Sequence, residues 1–127
     1  MSIQPFIKCS DIQTSVAFYS EILDFNILRT PDSDPESIMS MYSLLERNGD
    51  CVHLSSHSGD GVFGNVIYIR VENIDEIFNQ FVKNGIKIID EGMKSSISMK
   101  PVEQTWGMKE FSVFDPDGNR ITFGHEV

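Results

Sequence analysis

An α+β fold built from two β-α-β-β-β modules is what this sequence predicts, and three observations carry the prediction. First, the two halves repeat one another. Laying Ile7-Lys-Cys-Ser-Asp-Ile12 on Ile69-Arg-Val-Glu-Asn-Ile74 takes a shift of 62 residues, and the same shift carries Tyr19 onto Phe81. The closing strands match at a shift of 69, which places Gly49 and Leu54 on Gly118 and Phe123. Second, each half holds one apolar stripe at helical spacing. Third, each half ends in alternating apolar and polar runs joined by turn residues. Two such units bury their apolar faces by curling one mixed sheet around a shared cleft, with the helices on the convex outside. The chain is thus expected to form a single domain over residues 1–127, with module one at 1–58, a linker at 59–64 and module two at 65–127.

Taken in order, residues 3–9 read as a first strand whose Pro5 belongs at a sheet edge, or in a strand paired outside its own half. Asp11 fits a helix N-cap. Ile12, Val16, Tyr19 and Leu23 then form one apolar stripe on a helix ending near Ile22. A second strand runs from Phe25 to Thr30. Pro31 to Ser37, with two prolines and three acids, is an exposed loop. Met41 to Arg47 and Cys51 to Ser56 form a hairpin about Asn48-Gly49. The glycine-rich stretch Gly59 to Gly64 lacks a following lysine and the spacing of a phosphate loop, so it reads as a linker.

In the second half, Val66 to Val71 is a strand. Asn73 and Glu76 stand at capping-box spacing before the apolar face of Ile74, Ile77, Phe78 and Phe81, and Asn84-Gly85 ends that helix. Ile86 to Ile89 reads as a strand. Gly92 to Thr105 is irregular, of a length often found in binding loops or lids. The final hairpin runs from Trp106 to Phe123 about Asp115-Pro-Asp-Gly-Asn119, where proline and glycine force a reversal. Trp106, beside Gly107 at its mouth, has two readings: a core or rim aromatic, or a flat platform for a ligand.

Composition limits the partners. A net charge of −9 leaves no basic patch for phosphates, so nucleic acid is not expected as a partner. No apolar run approaches the roughly 20 residues of a membrane helix, and Met-Ser-Ile-Gln-Pro lacks the basic and apolar regions of a signal peptide, so no membrane partner and a cytoplasmic location are expected. Cys9 and Cys51, both in apparent strands, read as buried thiols and not as a disulfide. His53 and His57 are four apart on a strand running into a loop, a separation of about 13 Å that does not suit one metal ion. His125 is expected in solvent. No serine stands on a nucleophile elbow.

Asp11 to Phe25, Val71-Glu-Asn-Ile-Asp75 and Trp106-Gly-Met-Lys-Glu-Phe-Ser-Val-Phe-Asp-Pro-Asp-Gly-Asn119 together resemble the vicinal oxygen chelate superfamily of glyoxalases, extradiol dioxygenases and bleomycin resistance proteins. The resemblance covers nearly the whole chain and is nearest the bleomycin resistance branch, where a Trp-Gly pair precedes Glu-Phe and then Asp-Pro-x-Gly-Asn. Enzymes of the superfamily hold a divalent metal through four inward side chains, and those positions fall here on Gln4, His53, Val66 and Thr122. Valine is no ligand and threonine a poor one, so Gln4 and His53 are weak metal candidates, no cofactor is expected, and no catalytic residue is assigned.

Bleomycin resistance proteins sequester a cationic glycopeptide in acidic grooves of a dimer and stack its heteroaromatic tail on aromatic side chains. The resemblance therefore implies a non-catalytic antibiotic-binding protein, with Trp106, Tyr68, Ser56 and His53 as ligand-binding residues. Its ligand would be a cationic or flat heteroaromatic small molecule, and the negative charge suits such a cation. The implied partner is a second copy of the chain, with possible exchange of the first strand. The alternative is a metal-dependent enzyme of the superfamily, a glyoxalase-like lyase or dioxygenase, which would require a divalent metal.

Overall fold

The computed structural model describes residues 1–88 and 97–127. The expected strand at Ile86 to Ile89 and the irregular Gly92 to Thr105 segment therefore fall partly outside the described residues. The chain divides into two compact units. One comprises Met1–Asn65 together with Asp115–Asn119, and the other comprises Val66–Phe114 with Arg120–Val127.

The first unit contains strands β1 (Phe6–Lys8), β2 (Asn26–Arg29), β3 (Tyr42–Arg47) and β4 (Asp50–Ser55), in the sheet order β1-β4-β3-β2. β1 lies at the edge, parallel to β4, which agrees with a proline just before it. Asn48 and Gly49 both take positive φ, 52° and 89°, between the paired residues Arg47 and Asp50. That is the two-residue reversal the Asn-Gly pair favours, and its twist matches the strands it joins.

Helix α1 (Ile12–Ala17) starts at Asp11, whose carboxylate accepts from the Gln13 N–H at 3.1 Å. It runs on as a π-helical turn over Phe18–Ile22, closed by a Leu23 N–H to Phe18 carbonyl bond of 3.3 Å. The apolar stripe of Ile12, Val16, Tyr19 and Leu23 is buried with Ile7, Leu45, Val52 and Leu54. Those four strand residues occupy one face of the sheet, as the period of two requires. Cys9 and Cys51 are both free thiols, and burial is the main reason the Cys9 thiol is pushed up to about 11.

The turn Asp115–Asn119 does more than reverse the chain. The Asp115 carboxylate accepts from the Tyr19 hydroxyl at 2.7 Å, the Asn119 side-chain amide at 2.9 Å, and the N–H groups of Asp117 and Asn119, each at 2.9 Å. Asn119, 1% exposed, uses its whole amide. Its nitrogen donates to Asp115 and to the Lys8 carbonyl, and its oxygen accepts from the N–H groups of Gly64 and Asn65. Asp117 in turn accepts from the N–H and hydroxyl of Ser10. The turn, β1, α1 and the glycine-rich stretch are thereby joined through one saturated polar cluster.

In the second unit, β5 (Val66–Arg70), β6 (Val102–Glu103), β7 (Met108–Phe114) and β8 (Arg120–Glu126) take the order β5-β8-β7-β6. Residues 86–88 are not in a strand; the edge position is filled by the two-residue β6, paired with Glu110 and Lys109 of β7. Helix α2 (Ile74–Lys83) buries Ile74, Ile77 and Phe81. The Phe81, Phe111 and Phe123 rings pack together, with the Phe111 and Phe123 rings stacked at 5.1 Å. The expected capping box differs in detail. Asn73 and Glu76 bond to each other at 3.2 Å, and the Ile74 N–H meets the His125 imidazole at 3.4 Å. His125 is half-buried, so its expected exposure is corrected by this contact with the start of α2.

The strand register supports the internal repeat. Phe6 pairs with His53 in the first sheet and Tyr68 with Thr122 in the second, the same shifts of 62 and 69 found in the sequence. No helix among the described residues is long and apolar enough to cross a membrane.

Candidate functional site

Of the expected ligand-binding residues, Tyr68 and Trp106 come together in the second unit. Tyr68 sits on β5 and faces away from the phenylalanine core, because Ile67 and Ile69 take the alternate positions. Its ring reaches across β8 only because residue 124 is glycine: a Cβ there would stand 1.9 Å from the Tyr68 hydroxyl. Beyond Gly124 lies its ladder partner, Glu110 of β7. The Tyr68 hydroxyl donates to Glu110 Oε2 at 2.6 Å.

Trp106 lies in the turn between β6 and β7, held by a Gln104 N–H to Met108 carbonyl bond of 2.8 Å. Its indole Nε1–H donates to the same Glu110 Oε2 at 3.1 Å. One carboxylate oxygen therefore fixes two aromatic side chains that remain largely exposed, Trp106 at 55% and Tyr68 at 49%. The exposure removes Trp106 from the core and leaves the rim. The Tyr68 phenol is pushed up to about 12, first by burial of its hydroxyl end and then by the hydrogen bond and charge of Glu110, with Arg70 pulling the other way.

These residues border a cavity of about 240 Å³, completed by Val66, Ser98, Ser112, Arg120 and Thr122 among others. The Ser98 carbonyl accepts from the Ser112 N–H at 2.6 Å, so the described end of the irregular segment continues the edge of β7 and walls the cavity. Ser112 and Thr122 hydroxyls bond to each other at 2.7 Å. Glu110 and Arg120 were not singled out from the sequence. Glu110 has a readable signal, its alternation with Phe111 and Val113, which aims it at the face opposite the core.

His53 and Ser56 belong to the first unit. His53 stacks on Phe6, with ring centroids 4.4 Å apart, and its two ring nitrogens contact the Tyr42 hydroxyl at 2.5 Å and Gln4 Oε1 at 2.7 Å. Burial holds its pKa below the ordinary histidine value. Ser56 follows β4, and its hydroxyl donates to the Met41 carbonyl at 3.5 Å.

Gln4 and His53 in the first unit and Val66 and Thr122 in the second stand at the four superfamily metal positions. Gln4 and His53 are engaged with each other, Val66 carries no donor atom, and the Thr122 hydroxyl is bonded to Ser112. A wider recess of about 510 Å³ beside the acidic loop, lined by Arg29, Thr30, Pro31, Asp32, Ser33 and Met39, has no aromatic wall.

Two four-stranded sheets with duplicated register, one of them bearing an aromatic-walled cavity, point to a protein of the glyoxalase class. The Glyoxalase superfamily protein model matches residues 1–127, and the chain belongs to that family. The bleomycin resistance protein of Geobacillus stearothermophilus is 26% identical over 141 residues, which cover 97% of this chain and 95% of that protein. Among solved structures, TioX from Micromonospora sp. ML1 aligns at a TM-score of 0.77 and 16% identity, covering 100% of this chain and 99% of TioX. A bleomycin-binding protein complexed with bleomycin aligns at 0.72 and 20% identity, covering 100% of this chain and 99% of that one.

Proposed function

We propose that this protein binds an antibiotic of the bleomycin type without transforming it, acting as a resistance protein by sequestration. The observation that carries the reading is the sharing of one Glu110 oxygen by Trp106 and Tyr68 at the cavity mouth. Two exposed aromatic faces held in fixed positions suit a flat heteroaromatic group, and the adjacent carboxylate suits a positive charge on it. A cavity of about 240 Å³ falls below the roughly 300 to 1,000 Å³ of drug-sized sites, so it accepts the planar part of a larger ligand while the remainder stays outside. The net charge of −9 draws a cation toward the protein. Similarity to a bleomycin resistance protein and to a bleomycin-binding protein supports the same reading.

The active form in this reading is a homodimer. Ile27, Leu28 and Ile38 of the first unit and Val66 and Trp106 of the second are exposed, which is apolar surface of the kind a partner covers. β1 pairs over only three residues at a sheet edge, short enough to be exchanged between copies. Light scattering at micromolar concentration should return twice the chain mass of 14.4 kDa; the mass of a single chain would contradict the dimer.

Binding itself is tested by titrating the protein with bleomycin while following the fluorescence of Trp106, the single tryptophan. Saturable quenching with unaltered bleomycin recovered afterwards is expected. An unchanged signal, together with no heat of binding in calorimetry, would refute the reading.

A further inference from the structure

The cavity of the second unit contains a buried donor that has no acceptor among the described residues. Arg120 opens β8 and shares a strand face with Thr122, and both side chains line the cavity. Arg120 Nε is buried and has no hydrogen-bond partner among the described residues. A guanidinium N–H kept from water without an acceptor is destabilising, so the position calls for an acceptor from elsewhere. The neighbouring hydroxyls of Ser112 and Thr122 are engaged with each other. Glu110 is not the missing partner. It lies opposite Gly124, whereas Arg120 lies opposite Phe114, four residues further along β7 and roughly 13 Å away at the rise of a strand.

We propose that Arg120 forms the acceptor-binding end of the ligand site. It takes a carboxylate or carbonyl oxygen at one end of a flat ligand, and the other end of that ligand carries the positive charge or donor that faces Glu110. This rests on the binding reading above and narrows it: the ligand is amphoteric along its planar part, not merely cationic. Arginine suits the task because its planar fork of donors matches an oxygen acceptor and stays charged at any working pH. A preference for an anionic group in a chain of net charge −9 runs against the long-range field, so it would report the local guanidinium.

The test titrates wild type and Arg120→Met with three flat probes, naphthoate, naphthamide and methylnaphthalene, and in a separate arm with bleomycin. Wild type should bind naphthoate about tenfold or more tightly than methylnaphthalene, with naphthamide between them, the range expected for a charge-assisted hydrogen bond. Arg120→Met should bind all three alike. Equal binding of the three probes by wild type, binding of none, or a naphthoate preference that survives Arg120→Met overturns the proposal. If Arg120→Met fails to fold, Arg120→Gln takes its place in the same comparison, and a naphthoate preference that survives it overturns the proposal equally. Bleomycin binding without any naphthoate preference removes the Arg120 subsite and leaves antibiotic binding standing. The reverse result removes antibiotic binding and leaves the subsite.

Discussion

The hairpin of β7 and β8 carries two polar clusters that are finished in different ways. In the turn, Asp115 accepts four hydrogen bonds and Asn119 uses every donor and acceptor of its amide. On the open face of the same strands, Glu110 holds two aromatic side chains that stay exposed, and Arg120 buries a donor with no acceptor among the described residues. Buried polar groups that are fully paired fix a structure, whereas an unpaired one is tolerated where a ligand completes it. The contrast separates what the Asp-Pro-Asp-Gly-Asn motif does, which is architecture, from what we propose for the Trp-Gly-x-x-Glu stretch, which is recognition.

The largest expected effect lies in the saturated turn. Asp115→Ala strands the Tyr19 hydroxyl, the Asn119 amide and two backbone N–H groups, and should lower stability by about 3 to 5 kcal/mol. Urea unfolding measures this loss. A loss below about 1 kcal/mol would mean that water replaces the carboxylate and that the cluster is not what holds the turn.

Gly124→Ala tests the open face with a smaller effect on the fold. The added methyl drives the Tyr68 hydroxyl off its path to Glu110, so ligand affinity should fall about tenfold while stability falls by about 1 kcal/mol. Adding Tyr68→Phe to Gly124→Ala should then change affinity little further. If the two substitutions weaken binding additively, Gly124 does not act through Tyr68.

A smaller effect still is expected in alkaline titration. The Tyr68 phenol is raised from 10.0 to about 12, so the folded chain keeps a proton that the unfolded chain gives up first. Stability is therefore unaffected below about pH 10 and declines as pH rises from there toward 12. Glu110→Gln removes the negative charge, which should move the Tyr68 transition to lower pH in tyrosinate absorbance. An unmoved transition would leave burial as the sole cause.

Much of the fold was legible because its signals are local. The Asp11 cap, the 12-to-22 stripe and the Asn48-Gly49 reversal are written in adjacent residues and reappear in the structure. Of the strand expected at Ile86 to Ile89, the described residues 86–88 are not in a strand, a short apolar run misread. The edge of the sheet is Val102–Glu103, two residues too short for any periodicity and placed by pairing with β7. The start of α2 is met by His125, 51 residues away, which no local capping rule anticipates.

Trp106 and Tyr68 were named through the family resemblance, but Glu110, which both side chains contact, was not. A glutamate on the polar face of a strand reads as solvated until the register sets it opposite Gly124 and under the Tyr68 hydroxyl. Arg120 is hidden in the same way. An arginine after a turn reads as surface, and only the three-dimensional packing buries its Nε.

Trp106→Ala tests the division between architecture and recognition most directly. Thermal melting and calorimetric titration with bleomycin are compared between the variant and wild type. A rim aromatic stacked on a planar group contributes about 1 to 3 kcal/mol to binding, so affinity should fall by roughly 5- to 150-fold while the melting temperature stays close to that of wild type. A collapse of the melting temperature, as for a core tryptophan worth about 3 to 5 kcal/mol, with bleomycin affinity unchanged in the protein that remains folded, would contradict the account.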